Sequence, residues 1–206
     1  MQRKNLTVKK EKKTMADIRK LAPILLKWEA GALPQTTLEK QWEIARRKGF
    51  SNHPNDSGGA TMCGITIGTY TRYRQLKGKR KPTVTDLKNI TLNEWLDVLK
   101  VFYWDKMKAD QIVNQSIANL CVDNVWGSGT GYIKQIQMVA GVAADGIVGP
   151  NTLRAINTQK PKMLFDKLWN RRKTFYNGLV ISKPSYKVFL KGWMNRLNDF
   201  KYSDNL

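Results

Sequence analysis

The chain has 206 residues, 36 Lys+Arg against 16 Asp+Glu, one histidine and two cysteines, for a formal net charge of +20. A hydrophobic share of 41% and an aromatic share of 10% exclude a disordered composition, and the length suits one domain, or one domain with two lobes, around a sizeable core. One histidine with two distant cysteines excludes the usual zinc ligand sets and a disulfide framework and argues against a histidine-dependent triad, so acid–base chemistry is expected from carboxylates, with no metal or cofactor expected.

Residues 1–15 are polar, basic and without period, and read as a mobile tail. The apolar stretch that follows is short and broken by Lys27 and Glu29, so the N-terminus does not read as a secretory signal. Residues 16–29 read as a helix, with Ile18, Ala22, Leu25 and Glu29 on one face. Pro23 starts or kinks it, and Gly31 and Pro34 end it. A second helix is expected over 35–48, with Leu38, Trp42 and Ala45 on one face. Residues 50–62 are dense in Asn, Asp, Ser, Gly and Pro, which is the chemistry of a short hairpin or an ordered loop. Residues 64–70 fit a strand or the entry to a helix, and 76–83 a basic loop. A helical pattern over 91–113 opens with a capping box at Thr91 and Glu94. Helices follow over 116–126 and 132–139, then a turn-rich loop at 141–150, with Pro150 opening a helix over 151–157. Helical stretches at 161–178 and 184–199 complete the chain. Strand is confined to about residues 50–70, and Cys63 and Cys121 are expected as buried thiols from a reducing compartment.

The charge is gathered in three runs. Residues 1–20 carry eight bases and two acids, residues 71–82 six bases and no acid, and residues 160–191 nine bases and Asp166. Such runs steer a protein toward a polyanion, which nucleic acid, an anionic membrane surface or an anionic cell wall would satisfy. No apolar run reaches the ~18 residues of a membrane span.

Glu29 is the most informative residue. It shares an apolar helix face and sits near a helix C-terminus, and both settings favour the protonated carboxyl that a general acid needs. The competing reading is a residue at the edge of the apolar face, pointing to solvent or paired with Lys27 or Arg47. Asp56 lies in a Gly-rich turn with Thr61 close in sequence. Glycoside hydrolysis uses a raised-pKa acid facing a second polar group across the scissile bond, and these residues would supply both. An Asx-turn role for Asp56 stays open. His53, before Pro54, contacts a sugar or orders the turn. Tyr70, Tyr73, Tyr103, Trp104 and Trp126 would stack on sugars or fill the core.

Trp28-Glu29-Ala30-Gly31, the run Asn52 to Thr61, and Gly64-Ile65-Thr66 resemble the signature of the family 108 glycoside hydrolases, peptidoglycan N-acetylmuramidases of bacteria and phages. Tyr103-Trp104-Asp105, Val122-Asp123 and Ser128-Gly129 are similar too. Asp145 to Leu153 resembles the motif of that family's predicted peptidoglycan-binding C-terminal region. The resemblance implies a mainly α, lysozyme-like two-lobed fold with a small β-hairpin or loop lobe. It implies a catalytic lobe over 16–110, holding an inserted segment at 33–50, and a helical C-terminal lobe over 111–206. It implies Glu29 as catalytic acid with Asp56 and Thr61 as loop partners, and a substrate cleft to which His53, Tyr70, Trp104, Asp123 and Trp126 are assigned. The chain departs from the family at Ala30 and Ala32, where a glycine and an aromatic are usual. It also departs in the insertion from Leu33 to Phe50, at His53 in place of Asp, and at Gly127, where Asn is often found.

The expected activity is hydrolysis of the β-1,4 bond between N-acetylmuramic acid and N-acetylglucosamine, by a monomer made in the cytoplasm and acting on the wall. Glycan strands are the expected partner, with anionic envelope polymers drawn by charge. A non-catalytic wall-binding or virion structural protein is the alternative that the departures motivate. A nucleic-acid binder rests on charge alone, because no zinc finger, basic zipper or RNA-recognition signature is present, so no specific nucleic-acid partner is expected.

Overall fold

A computed structural model describes residues 15–52 and 59–204. The basic tail, apart from Met15, and the turn residues His53 and Asp56 lie outside them. The fold is mainly α, with ten helices among the described residues and one three-stranded sheet.

Helix α1 (Ile18–Ala30) starts where Asp17 accepts a hydrogen bond from the Arg19 N–H. Pro23 lies inside it rather than at its start, and five side chains from Leu21 to Ala30 are buried. The helix ends at Gly31 in the left-handed conformation, φ +62°. Helix α2 (Leu38–Lys48) carries Glu39 in its first turn and Arg46, Arg47 and Lys48 in its last, the arrangement its dipole favours. The segment expected as an insertion is therefore mostly helix, and it is stitched to α1. Gln41, itself buried, donates through Nε2 to the carbonyls of Pro23 and Ala32, both at 2.8 Å. Trp42 and Ala45 join the core beside it.

The sheet is antiparallel and ordered β1 (Phe50–Ser51), β2 (Thr61–Met62), β3 (Ile65–Thr66). Phe50 faces Met62, and Met62 faces Ile65. The β2–β3 turn has Cys63 at φ +45° and Gly64 at φ +81°, the double positive φ of a tight hairpin. The residues of 64–70 thus serve both expected roles, since β3 runs directly into α3 (Ile67–Leu76), capped by Thr66.

Helix α4 (Val84–Lys88), opened by a Thr83–Asp86 capping box, follows the basic loop and was not expected. The single helix expected over 91–113 is broken. Its capping box holds, but α5 (Leu92–Leu99) passes into a π-helical turn, Lys100–Trp104, where the Asp105 N–H reaches back five residues to the Lys100 carbonyl. Lys108 then adopts a left-handed conformation, φ +45°, before a 3₁₀ turn at Ala109–Gln111.

Helix α6 (Gln115–Ser128) is the spine. Every residue from Gln115 to Val125 is buried, as befits a helix enclosed on all sides. It packs against α1 on one side and α9 on the other. It runs through Gly127 and stops at Gly129. Helices α7 (Ile133–Ala140) and α8 (Pro150–Thr158) bracket the 141–150 loop, where Asp145 accepts from the Ile147 N–H and from Gln137 Nε2. The Asp145 motif therefore orders its own loop, and those donors hold its carboxyl below the usual range. Helix α9 (Pro161–Ser182) continues past Gly178, longer than expected, and α10 (Lys187–Asp199) closes the chain after a 3₁₀ turn. No helix among the described residues is long and apolar enough to cross a membrane.

The Gln41 contact makes a prediction. Gln41→Leu keeps volume but takes the side-chain donor from one buried and one part-buried carbonyl, which costs about 1–3 kcal/mol. Urea unfolding of the two proteins, compared at equal m-value, measures it.

Candidate functional site

Glu29 occupies the last turn of α1, where the left-handed Gly31 turns the chain away and leaves the side chain 18% exposed. Its Oε1 accepts two hydrogen bonds, from Trp126 Nε1 at 2.8 Å and from Arg196 Nη1 at 2.6 Å. Arg196 directs its other edge at Asp123, with Nε and Nη2 at 2.9 and 2.7 Å from Oδ1. Asp123 and Trp126 are three residues apart on α6 and so share a face. One guanidinium thus bridges a carboxylate on α1 and another on α6. Burial works against its charge, but the Asp123 and Glu29 carboxylates overcome that penalty and raise its pKa above the ordinary arginine value.

The second oxygen of Glu29 has a different neighbour. A Cβ built on Gly64 would fall 2.7 Å from Oε2 and 2.7 Å from Trp126 Cζ2. The β-turn therefore reaches the acid only because residue 64 has no side chain. No described residue donates to Oε2. Cys63, beside it, has its thiol pushed up to about 12 by burial and then by the Glu29 charge.

Trp126 is held by other rings. It lies 4.7 Å from Tyr103 and 5.9 Å from Trp95, and Trp95 lies 5.9 Å from Trp42. Trp95 is itself fixed by a hydrogen bond from Nε1 to the Cys63 carbonyl, at 2.9 Å. A row of aromatics therefore runs from the stitched segment to the acid. Burial pushes the Tyr103 hydroxyl up as well.

Helix α10 makes a second contact with the same turn of α1. Asp199 Oδ2 accepts from Trp28 Nε1 at 2.7 Å and pairs with Lys27. Arg196 and Asp199, three apart, form one face of α10 whose charges answer Glu29 and Lys27.

The structure brings Glu29, Asp123 and Trp126 together. The Glu29 environment departs from the expected greasy face, because the carboxyl is paired, and its partner is neither Lys27 nor Arg47. Asp123 is corrected from a cleft residue to a buried one, its side chain 3% exposed and committed to Arg196. Tyr70 and Trp104, assigned to the substrate, lie in the core at 1% and 2% exposure and offer no face to a sugar. The Tyr70 hydroxyl points to Glu94, 3.4 Å away. Thr61 is half-buried on β2, with Oγ1 donating to the Gly59 carbonyl at 3.3 Å. The strand carrying it leads into the turn that places Gly64 against Glu29. His53 and Asp56 lie outside the described residues. Sequence reasoning missed Arg196, which lies 167 residues from Glu29 and has no local pattern to mark it.

Two variants test this arrangement. Gly64→Ala forces a Cβ into Oε2 and the Trp126 ring at a left-handed position, for a loss of about 1–3 kcal/mol and altered tryptophan fluorescence. Arg196→Met leaves two carboxylates uncompensated. Removing one partner of a buried network costs about 3–5 kcal/mol, and the partial exposure of Glu29 places this case near the lower end. Denaturant titration reads both.

Residues 41–129 match the glycosyl hydrolase 108 family, and residues 132–198 match a predicted peptidoglycan domain. The first match begins after Glu29, so the acid itself lies outside it. No curated protein matches the chain in sequence. Among solved structures, that of Brucella abortus SagA is similar at a TM-score of 0.68 and 24% identity, covering 92% of this chain and 98% of that one, a likeness of fold. Taken in order along the sequence, the two matches give the chain a segment similar to the glycosyl hydrolase 108 family followed by one similar to a predicted peptidoglycan domain.

Proposed function

We propose that this protein is an N-acetylmuramidase, cleaving the β-1,4 bond between N-acetylmuramic acid and N-acetylglucosamine with Glu29 as the general acid. The family match and the peptidoglycan domain support a glycoside hydrolase acting on the wall. The observation that carries the finer reading is the division of labour within the Glu29 carboxyl. Oε1 accepts from two donors, which fixes the group's orientation. Oε2, the oxygen beside Gly64, takes no donor from the described residues and is the one left to face a leaving group. A general acid needs this arrangement: one oxygen as anchor, the other directed at the leaving group.

In the reaction, Oε2 protonates the glycosidic oxygen as the C–O bond breaks and positive charge builds on the sugar ring. Glu29 then holds a negative charge, and the Arg196 and Trp126 donors stabilise it without moving. Asp56, which precedes β2 in sequence, and Thr61 on that strand are assigned to hold the attacking water or the developing cation. The charge of +20 concentrates the enzyme on an anionic wall, where it acts as a phage lysin or a wall-penetrating hydrolase.

A second reading rests on one observation: Glu29 is half of an ion pair. On it, Glu29 is structural and the protein binds the wall without cutting it. Glu29→Gln separates the two. Glutamine keeps an acceptor for Trp126 and Arg196 but has no proton of that acidity. The muramidase reading expects lysis of purified peptidoglycan to fall by about 100-fold or more, the share a general acid supplies, with pelleting on the wall and circular dichroism unchanged. A wild-type protein that pellets without clearing the suspension establishes the structural reading.

A further inference from the structure

Beside the Glu29 network lies a cavity of about 200 Å³, lined by Gly127, Ser128, Arg172, Tyr176, Leu179, Trp193 and Arg196. It sits where the two matched segments meet, between the end of α6 and the faces of α9 and α10. Arg172 is its unusual wall. This residue is 2% exposed, and the ion pairs nearby, Arg196 with Glu29 and with Asp123, leave it out. Among the described residues it forms no ion pair. Its guanidinium is boxed by ring faces, 4.4 Å from Tyr176, 4.6 Å from Tyr132 and 5.2 Å from Phe175. Nη1 donates to Ser128 Oγ at 2.7 Å, while Nε is buried with no partner.

A buried charge without a counter-ion and with an unused N–H is costly unless something else supplies both. Aromatic faces offset part of the desolvation but do not accept the in-plane hydrogen bonds of a guanidinium. Gly127 contributes by absence, since a Cβ there would stand 3.1 Å from Nη2 and close that edge. The lining holds two arginines and a serine hydroxyl and no carboxylate. Tyr176 and Trp193, stacked at 5.2 Å, make a flat apolar wall. This set of groups suits a carboxylate borne on an organic chain.

We infer that the Arg172–Ser128–Arg196 cavity is a subsite for a carboxylate of the wall polymer, occupied while the same strand lies at Glu29. The inference rests on the muramidase reading for the identity of the polymer. Arg196 is shared: Nη1 holds Glu29 while the residue lines the cavity. An occupant therefore lies within one side chain of the Glu29 carboxyl. The carboxylate comes from the lactyl ether of a stripped muramic acid or from the peptide stem.

The test uses the full chain with Glu29→Gln, which binds without turnover, and calorimetry with three tetrasaccharides. One carries peptide stems, one has been stripped to free lactyl carboxylates, and one is chitotetraose, which has no carboxylate. At least one carboxylate-bearing glycan binds about ten-fold or more tighter than chitotetraose, and whichever does identifies the source. Adding Arg172→Met brings that preference below three-fold while chitotetraose binding is unchanged. Ser128→Ala, which leaves the aromatic box whole, reduces the preference and serves where Arg172→Met does not fold. Absence of a preference in the parent, or its full survival in a folded Arg172→Met or in Ser128→Ala, overturns the subsite. Lysis by the chain with Glu29 intact is scored separately. A lytic protein without the preference loses the subsite and keeps the muramidase reading. A preference in a protein that never lyses keeps the subsite and loses that reading.

Discussion

A single guanidinium, that of Arg196, organises this molecule. Two carboxylates from different helices, one nearly and one largely withdrawn from water, would repel each other and lose hydration without it. With it, the end of α1, the middle of α6 and the last turns of α10 are fixed to one point. The planar fork of arginine suits the task, because its two edges serve two acids at once. A lysine would offer one charge and no second edge.

The same point joins two parts of the chain that sequence comparison separates. The segment matching the hydrolase family ends at residue 129, and Arg196 belongs to the segment matching a peptidoglycan domain. The hydrolase segment therefore does not complete the Glu29 environment by itself. Helix α6 carries the mechanical link, since it is buried along most of its length between α1 and α9. On the proposed mechanism, orientation of the acid and engagement of the wall share a common scaffold. Binding energy gained away from the scissile bond can then be used to align the strand at it.

Much of this was legible in the sequence where the signal was local. The α1 pattern, the Thr91 capping box and the small strand content among the described residues follow from propensity and periodicity within a few residues. Glu29 stood out because a carboxyl at a helix end on an apolar face is unusual. The failures are non-local. The break after Leu99 depends on a π-turn that periodicity over 91–113 does not register. Trp104 sits in a motif and Tyr70 four residues after one, yet the fold buries both, and burial is set by partners far along the chain. Arg196 is one of many bases in a basic chain, and nothing within its own helix separates it from Lys187 or Lys191. Its importance exists only once α10 has folded onto α1.

That separation along the chain also sets an order of events. Glu29 leaves the ribosome 167 residues before its cationic partner. At translation rates of about 5–20 residues per second, the gap lasts roughly 8–33 seconds. Through that interval α1 has neither the Arg196 anchor nor the Asp199 contact, and of the two donors to Glu29 Oε1 at most Trp126 has been made. On the proposed mechanism, the Glu29 arrangement is completed only as the last helix docks, so it is withheld from partial translation products.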